Sequence, residues 1–191
     1  ACTNILDYIN GSIKKHENTL TAKEAKMMRL FEERQALIKP ILLTYPNVLE
    51  IDALINRITI SNQATFSISF QEEEHLFWQI TDKTILKALS KAFDEKVTLS
   101  YICDGHHRAK TSELIYRNRR LNNANFSDKD RINFMLSAYF PASEIEIHNY
   151  NRLVANLGSL TEDAFMTQLN TYYQVTAVSK NYFPISKFEM G

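Results

Sequence analysis

The stretch from Leu99 to Tyr116 does most to restrict the fold. Leu99, Tyr101 and Ile102 are strand formers, and Asp104-Gly105 is a turn signal because glycine accepts positive φ at no steric cost. Past the turn, Leu114 and Ile115 begin an apolar helical face, and Arg117, Arg119 and Arg120 fall in the last turns, where cations complement the helix dipole. A strand that enters a helix through a glycine turn aims unpaired N–H groups at one spot, and such a spot attracts anions, phosphate above all. Asp104, His106, His107, Arg108, Lys110 and Thr111 crowd around it. A plainer reading stands beside this one. Asp-Gly turns before helices are common, Asp104 is a good N-cap, and a surface histidine pair can be solvated and idle.

The 191 residues suit one domain spanning 1–191, and 45% hydrophobic content supports an ordinary core. The opening run, from Ala1 with no initiating Met, reads as a strand and leads us to expect a fragment of a longer protein. Lys plus Arg and Asp plus Glu balance at 22 each, so the chain lacks the global basic field that drives non-specific nucleic-acid binding. Four Gly and four Pro argue against long flexible linkers. Cys2 and Cys103 make no disulfide framework, and Cys103, inside a strand, reads as a small core residue rather than a nucleophile. No signal peptide and no membrane-length apolar run is evident, so a cytoplasmic protein without membrane contact is expected.

Taken in order, Thr3 to Tyr8 predicts a strand and Asn10-Gly11 a turn, followed by the charged run Lys14-Lys15-His16-Glu17. Thr21-Ala-Lys-Glu24 has the capping-box spacing and opens a helix to about Leu37, with Met28 and Phe31 facing inward. Ile41 to Tyr45 is a buried strand, and a helix runs from Asn47 or Glu50 to about Ile58. Ala64 to Phe70 and His75 to Ile80 form a hairpin around a solvated acidic turn, with Trp78 expected in the core and His75 exposed. Thr81 or Asp82 caps a helix whose stripe is Ile85, Leu86, Leu89 and Phe93. Leu121 to Asp130 reads as a loop, and Ile132 to Phe140 as a strand whose hairpin partner is Ile145 to Tyr150, with His148 facing solvent. Ser159 or Thr161 caps a helix, and Tyr173 to Val178 is a late strand. Mixed helices and hairpins argue for an α+β fold, a mixed sheet with flanking helices.

Two charged clusters stand out, Lys14 to Glu17 and Asp104 to Arg108. If their strands share a sheet, both face one cleft. Together they offer a carboxylate base in Glu17, a second acid in Asp104 able to hold a cation, phosphate-binding cations and helix N–H groups. That inventory suits phosphoryl transfer, where catalysis is positioning plus charge stabilisation. Zinc is the weaker reading, because HExxH is absent and adjacent His106 and His107 lie about 100° apart on a helix. No GxSxG elbow and no GxxxxGK[ST] loop occurs.

The box Ile102-Cys-Asp-Gly-His-His-Arg108 resembles the Asp-Gly-His-His-Arg box of the ParB/sulfiredoxin-like superfamily, especially its free-serine kinases. More closely, Gly11-x-Ile-Lys-Lys-His-Glu17 together with that box, Ala138-x-Phe-Pro141 and Tyr150-Asn-Arg152 resembles the bacterial domain-of-unknown-function 1015 family, from about Gly11 to Val175. The superfamily resemblance implies a ParB/sulfiredoxin-like α+β core that binds a nucleotide (ATP, ADP or CTP) with Mg²⁺. It implies that Gly105, His106, His107 and Arg108 hold phosphates, supported by Lys14, Lys15 and Thr111 nearby. It implies that Glu17 of the His16-Glu17 pair is catalytic, and that Asp104 contacts magnesium or substrate. The expected function is a kinase-like phosphotransferase acting on a small hydroxyl metabolite, free serine among the candidates. The alternative is a ParB-like, nucleotide-dependent DNA-partition or regulatory module. It needs a basic surface or a helix-turn-helix, and the chain displays neither.

Overall fold

The computed structural model describes residues 1–122, 127–147 and 154–177. In chain order its elements are β1 (Cys2–Asn4), α1 (Ile5–Ile9), β2 (Ile13–Lys14), α2 (Thr21–Arg34), β3 (Ile41–Tyr45), α3 (Leu49–Ser61), β4 (Phe66–Phe70), β5 (Glu73–Phe77), α4 (Lys83–Lys96), β6 (Ser100–Asp104), α5 (His106–Asn122), β7 (Phe134–Pro141) and α6 (Glu162–Tyr172). Short 3-10 turns at Arg131–Asn133 and Ala142–Glu144 flank β7. The chain divides into two compact units, residues 1–145 and 146–191.

In the first unit, five strands form one mixed sheet in the order β1-β7-β3-β6-β2. β7 pairs antiparallel with β1 and parallel with β3, while β6 pairs antiparallel with β3 and parallel with β2. β3 takes the centre because its apolar run has buried Ile41, Leu43 and Tyr45 with half-buried residues between them. The fold is therefore α+β with a mixed sheet and flanking helices, as the mixture of elements predicts.

The main core joins Ile5 and Tyr8 of α1, Ile13 of β2, Leu43 of β3, Ile102 of β6 and Ala109 of α5. A second cluster lies around Tyr45, Ile51 of α3 and Ala92 of α4, where Tyr45, Phe93 and Tyr139 meet edge to face. β4 and β5 form a separate two-stranded sheet whose residues are all exposed. Its tight turn places Gln71 and Glu72 at φ 48° and 66°. Trp78 after it is only half-buried, its indole N–H donating to the Asn62 carbonyl. His75 is exposed, as expected.

Several expectations are corrected. The strand expected over Thr3 to Tyr8 stops at Asn4, whose side chain accepts the Leu6 N–H and caps α1. Ile5 and Tyr8, three residues apart, then bury one helical face. α2 does begin at Thr21, but not through a capping box. Leu20 occupies the N-cap without a side-chain bond, and Glu24 is instead hydrogen-bonded to the Thr19 hydroxyl. α4 and α6 follow their expected caps, with Asp82 accepting from Thr84 and Ile85, and Thr161 accepting from Ala164. No strand forms over 145–147 or 173–177, where Ile147, Tyr173 and Val175 remain exposed and gain no sheet partner among the described residues. His148, Tyr150-Asn-Arg152 and Val178 lie outside the described residues.

α5 carries a buried carboxylate, Glu113, only 8% exposed, held by Lys110 at 3.0 Å and Arg117 at 2.8 Å. Burial alone would raise its pKa, but the two cations outweigh that and hold it below the ordinary 4.5. A depressed native pKa contributes stability above the unfolded carboxylate range, and that stability is lost as pH falls through the native value. Glu113→Gln should therefore destabilise the protein at pH 7 by about 2 kcal/mol, the scale of hydrogen bonds to charged groups. Urea unfolding should show the gap to wild type narrowing below about pH 4, where the wild-type carboxylate also becomes neutral. A gap independent of pH would mean that the charge of Glu113 contributes nothing.

Candidate functional site

Two strands of the sheet bring the charged clusters together. β2 and β6 are parallel, with Ile13 opposite Ser100 and Lys14 opposite Tyr101, and the Ser100 N–H donates to the Ser12 carbonyl at 3.0 Å. Parallel strands end on the same side, so the residues after Lys14 and the turn after Asp104 emerge side by side. The His16 backbone N–H lies 3.4 Å from His106 Nε2, across 90 positions of sequence.

His106 is the first residue of α5, and its side chain is 4% exposed. Its Nδ1 lies 3.8 Å from Glu17 Oε2, while His16 Nε2 lies 3.8 Å from Glu17 Oε1. The two imidazoles meet edge to face, 4.3 Å between centroids. Burial, followed by His16, lowers the His106 pKa, against an upward pull from Glu17 and Asp104. The ring is therefore neutral near pH 7. With Nε2 facing a backbone donor, the hydrogen-bond pattern assigns its proton to Nδ1, toward Glu17.

Gly105 joins β6 to α5 at φ +105°, a conformation that L side chains rarely adopt. A Cβ there would stand 2.8 Å from both Nε and Nη2 of Arg108, so the guanidinium lies directly over the glycine. Arg108 Nη2 donates to Asp104 Oδ2 at 2.7 Å. The Ala109 N–H makes the helix's bond to the Gly105 carbonyl, and the three N–H groups before it have no carbonyl within the helix. Their residues line a cavity of about 370 Å³ together with Glu17, Asp104, Gly105, and Lys23, Lys26 and Met27 of α2. His107 Nδ1 and Arg108 Nε are buried without a hydrogen-bond partner. The arrangement gathers a helix N-terminus, three cationic side chains and a carboxylate around one cavity.

The expected residues do not all meet there. Glu17, Asp104, Gly105, His106, His107 and Arg108 line one cavity. Lys14 is exposed on β2, and Lys15 Nζ sits 3.8 Å over the Tyr8 ring. Thr111 is buried one turn into α5, its hydroxyl without a partner. Asp104 pairs with Arg108, and among the described residues His16, Glu17 and His106 form a group of potential metal ligands. Cys103 is half-buried on the cavity wall, and burial raises its thiol pKa, which disfavours the thiolate. Lys23 and Lys26 were not singled out in the sequence. Their three-residue spacing on α2 is a signal, but one shared by many solvated helix faces.

Gly105→Ala must both strain the backbone and displace the Arg108 guanidinium. A lowering of stability by about 1–3 kcal/mol is expected, the scale of a forced backbone conformation. Chemical denaturation measures it, and a crystal structure of the variant should show Arg108 moved. Unchanged stability with Arg108 in place would refute the steric account.

No curated protein matches the chain, and no solved structure does. A family model described as "Protein of unknown function (DUF1015)" matches residues 1–190, and the chain belongs to that family.

Proposed function

We propose that this protein is a nucleotide-binding, kinase-like phosphotransferase with a ParB/sulfiredoxin-like core, acting on a small hydroxyl metabolite. One observation carries the reading: the Glu17 carboxylate shares a cavity with the α5 N-terminus, Lys23, Lys26 and Arg108. Phosphoryl transfer needs both parts, cations and N–H donors for the phosphates and a base for the hydroxyl.

The residues present suit a phosphate-bearing ligand. The buried Arg108 Nε and His107 Nδ1 have no protein partner, and the first turn of α5 offers N–H donors at the positive end of its dipole. Arg108, Lys23, Lys26 and the backbone of Gly105 to His107 would hold the phosphates. Asp104, 73% exposed at the cavity, would meet an accompanying Mg²⁺. When bound, the nucleotide supplies the phosphoryl group and Mg²⁺ offsets its charge. Glu17 accepts the proton of the substrate hydroxyl. His106, neutral and buried, sets its Nδ1 3.8 Å from the Glu17 carboxylate, beside the α5 terminus. His16 flanks its other oxygen.

Isothermal titration with ATP, ADP and CTP in Mg²⁺ should detect binding of at least one of them. Arg108→Ala should weaken it by about 1.5–3 kcal/mol, the range for hydrogen bonds to charged groups. Glu17→Gln should leave nucleotide affinity nearly unchanged and lower turnover by roughly 10²–10⁴-fold, the contribution of a positioned acid–base group. No heat with any of the three nucleotides would remove the reading.

The balanced charge, 22 cations against 22 acids, carries a separate expectation. Duplex DNA should not bind appreciably at physiological salt. A steeply salt-dependent DNA titration would promote the partition-module alternative instead.

A further inference from the structure

We propose that His16, Glu17 and His106 form a binding site for a divalent transition metal of the Zn²⁺ class. One ligand atom from each residue lies within 4.8 Å of the others. Glu17 is 3.8 Å from an imidazole nitrogen on either side. Ligands at about 2.1 Å from a tetrahedral zinc stand about 3.4 Å apart. The two 3.8 Å contacts use different Glu17 oxygens, so ligand atoms spread over as much as 4.8 Å must draw together by up to about 1.4 Å. His16 and Glu17 make that movement, because each is 58% exposed, while His106 is buried as the first residue of α5.

The donor chemistry selects the ion. Two imidazoles and one carboxylate suit zinc and its neighbours, whereas Mg²⁺ prefers all-oxygen sites. Three protein ligands leave a fourth position open, the pattern of reactive zinc sites rather than closed structural ones. Glu17 and His106 also line the cavity that carries Lys23, Lys26 and Arg108, so the open position can face an anion held there.

Binding at His106 Nδ1 requires a local rearrangement. The ring proton moves from Nδ1 to Nε2, and the 3.4 Å contact from the His16 N–H opens. No net proton is released from the ring. The contact is long for a hydrogen bond, but the new Nε2–H would face the His16 N–H, so the backbone at His16 must shift as the metal binds.

This site does not depend on the phosphotransferase reading, and the test uses the metal alone. Zn²⁺ titration of the intact chain by calorimetry should show one equivalent bound. His16→Ala and Glu17→Gln alter exposed side chains and should leave the fold intact, as circular dichroism checks. Each should weaken Zn²⁺ at least tenfold. Imidazole ¹⁵N spectra of the wild type should show His106 passing from the Nδ1–H to the Nε2–H tautomer on loading. Absence of stoichiometric binding overturns the proposal. So does binding that both variants retain at wild-type affinity, which would place the ion elsewhere. Loading without the tautomer change also overturns it, because His106 Nδ1 would not be a ligand.

Discussion

The candidate site depends on a very short piece of parallel sheet. β2 contributes only Ile13 and Lys14, yet its pairing with β6 sets the position of every residue from Lys15 to Glu17. Two residues of ladder are weak by themselves. What holds them is burial. Ile13 is 2% exposed and belongs to the same cluster as Ile102 of β6 and Ala109 of α5. The loop that carries Glu17 and the helix that carries His106 are thus anchored in one core. Their approach is set by packing density rather than by the loop's own stiffness.

That core supports an electrostatic arrangement unfavourable to a bare helix. Cations destabilise a helix N-terminus, because the dipole is already positive there. Arg108 nevertheless stands in the first turn of α5, and Lys23 and Lys26 border the same cavity. Asp104 offsets part of this through Arg108, and Glu17 faces the buried His106. Farther along the helix the conventional pattern returns, with Glu113 between Lys110 and Arg117 and arginines in the last turn. A local conflict of charge confined to one end of a well-buried helix is the kind of inconsistency found at binding sites.

Much of this was legible from residue order. The apolar run Ile41 to Tyr45, the Asp104-Gly105 turn and the Asp82 and Thr161 caps act through local chemistry, and the structure forms each of them. The meeting of the two charged clusters was legible only conditionally, since pairing of β2 with β6 is a long-range event. The misses have physical causes. Thr3 to Tyr8 carries the strand formers Thr3, Ile5 and Tyr8, but the Asn4 side chain caps a helix that begins at Ile5. Tyr173 to Val175 has β propensity but no sheet edge among the described residues, and propensity without a partner makes no strand. Lys15 reads like a phosphate ligand, yet its ammonium lies over the Tyr8 ring. His106 and His107 are adjacent in sequence, but the ring that meets His106 is that of His16, 90 positions earlier.

The role of Glu17 follows from counting lone pairs. A carboxylate that accepts a proton from a substrate hydroxyl needs a free oxygen directed at the cavity. The same carboxylate bound to a metal between His16 and His106 has that electron pair committed, and the positive ion lowers its basicity further. The two roles therefore belong to different states of one site. With Zn²⁺ absent, His106 Nδ1 stands 3.8 Å from Glu17, and the carboxylate's lone pairs stay uncommitted to a metal. With Zn²⁺ bound, His16, Glu17 and His106 would hold the cation, and its open coordination position would add an anion-binding element to the cavity that Arg108 lines. If proton abstraction by Glu17 is required for phosphoryl transfer, a metal of this class must inhibit the reaction while strengthening the hold on an anion. Glu17 thus couples the chemistry proposed for the cavity to the ion that occupies its wall.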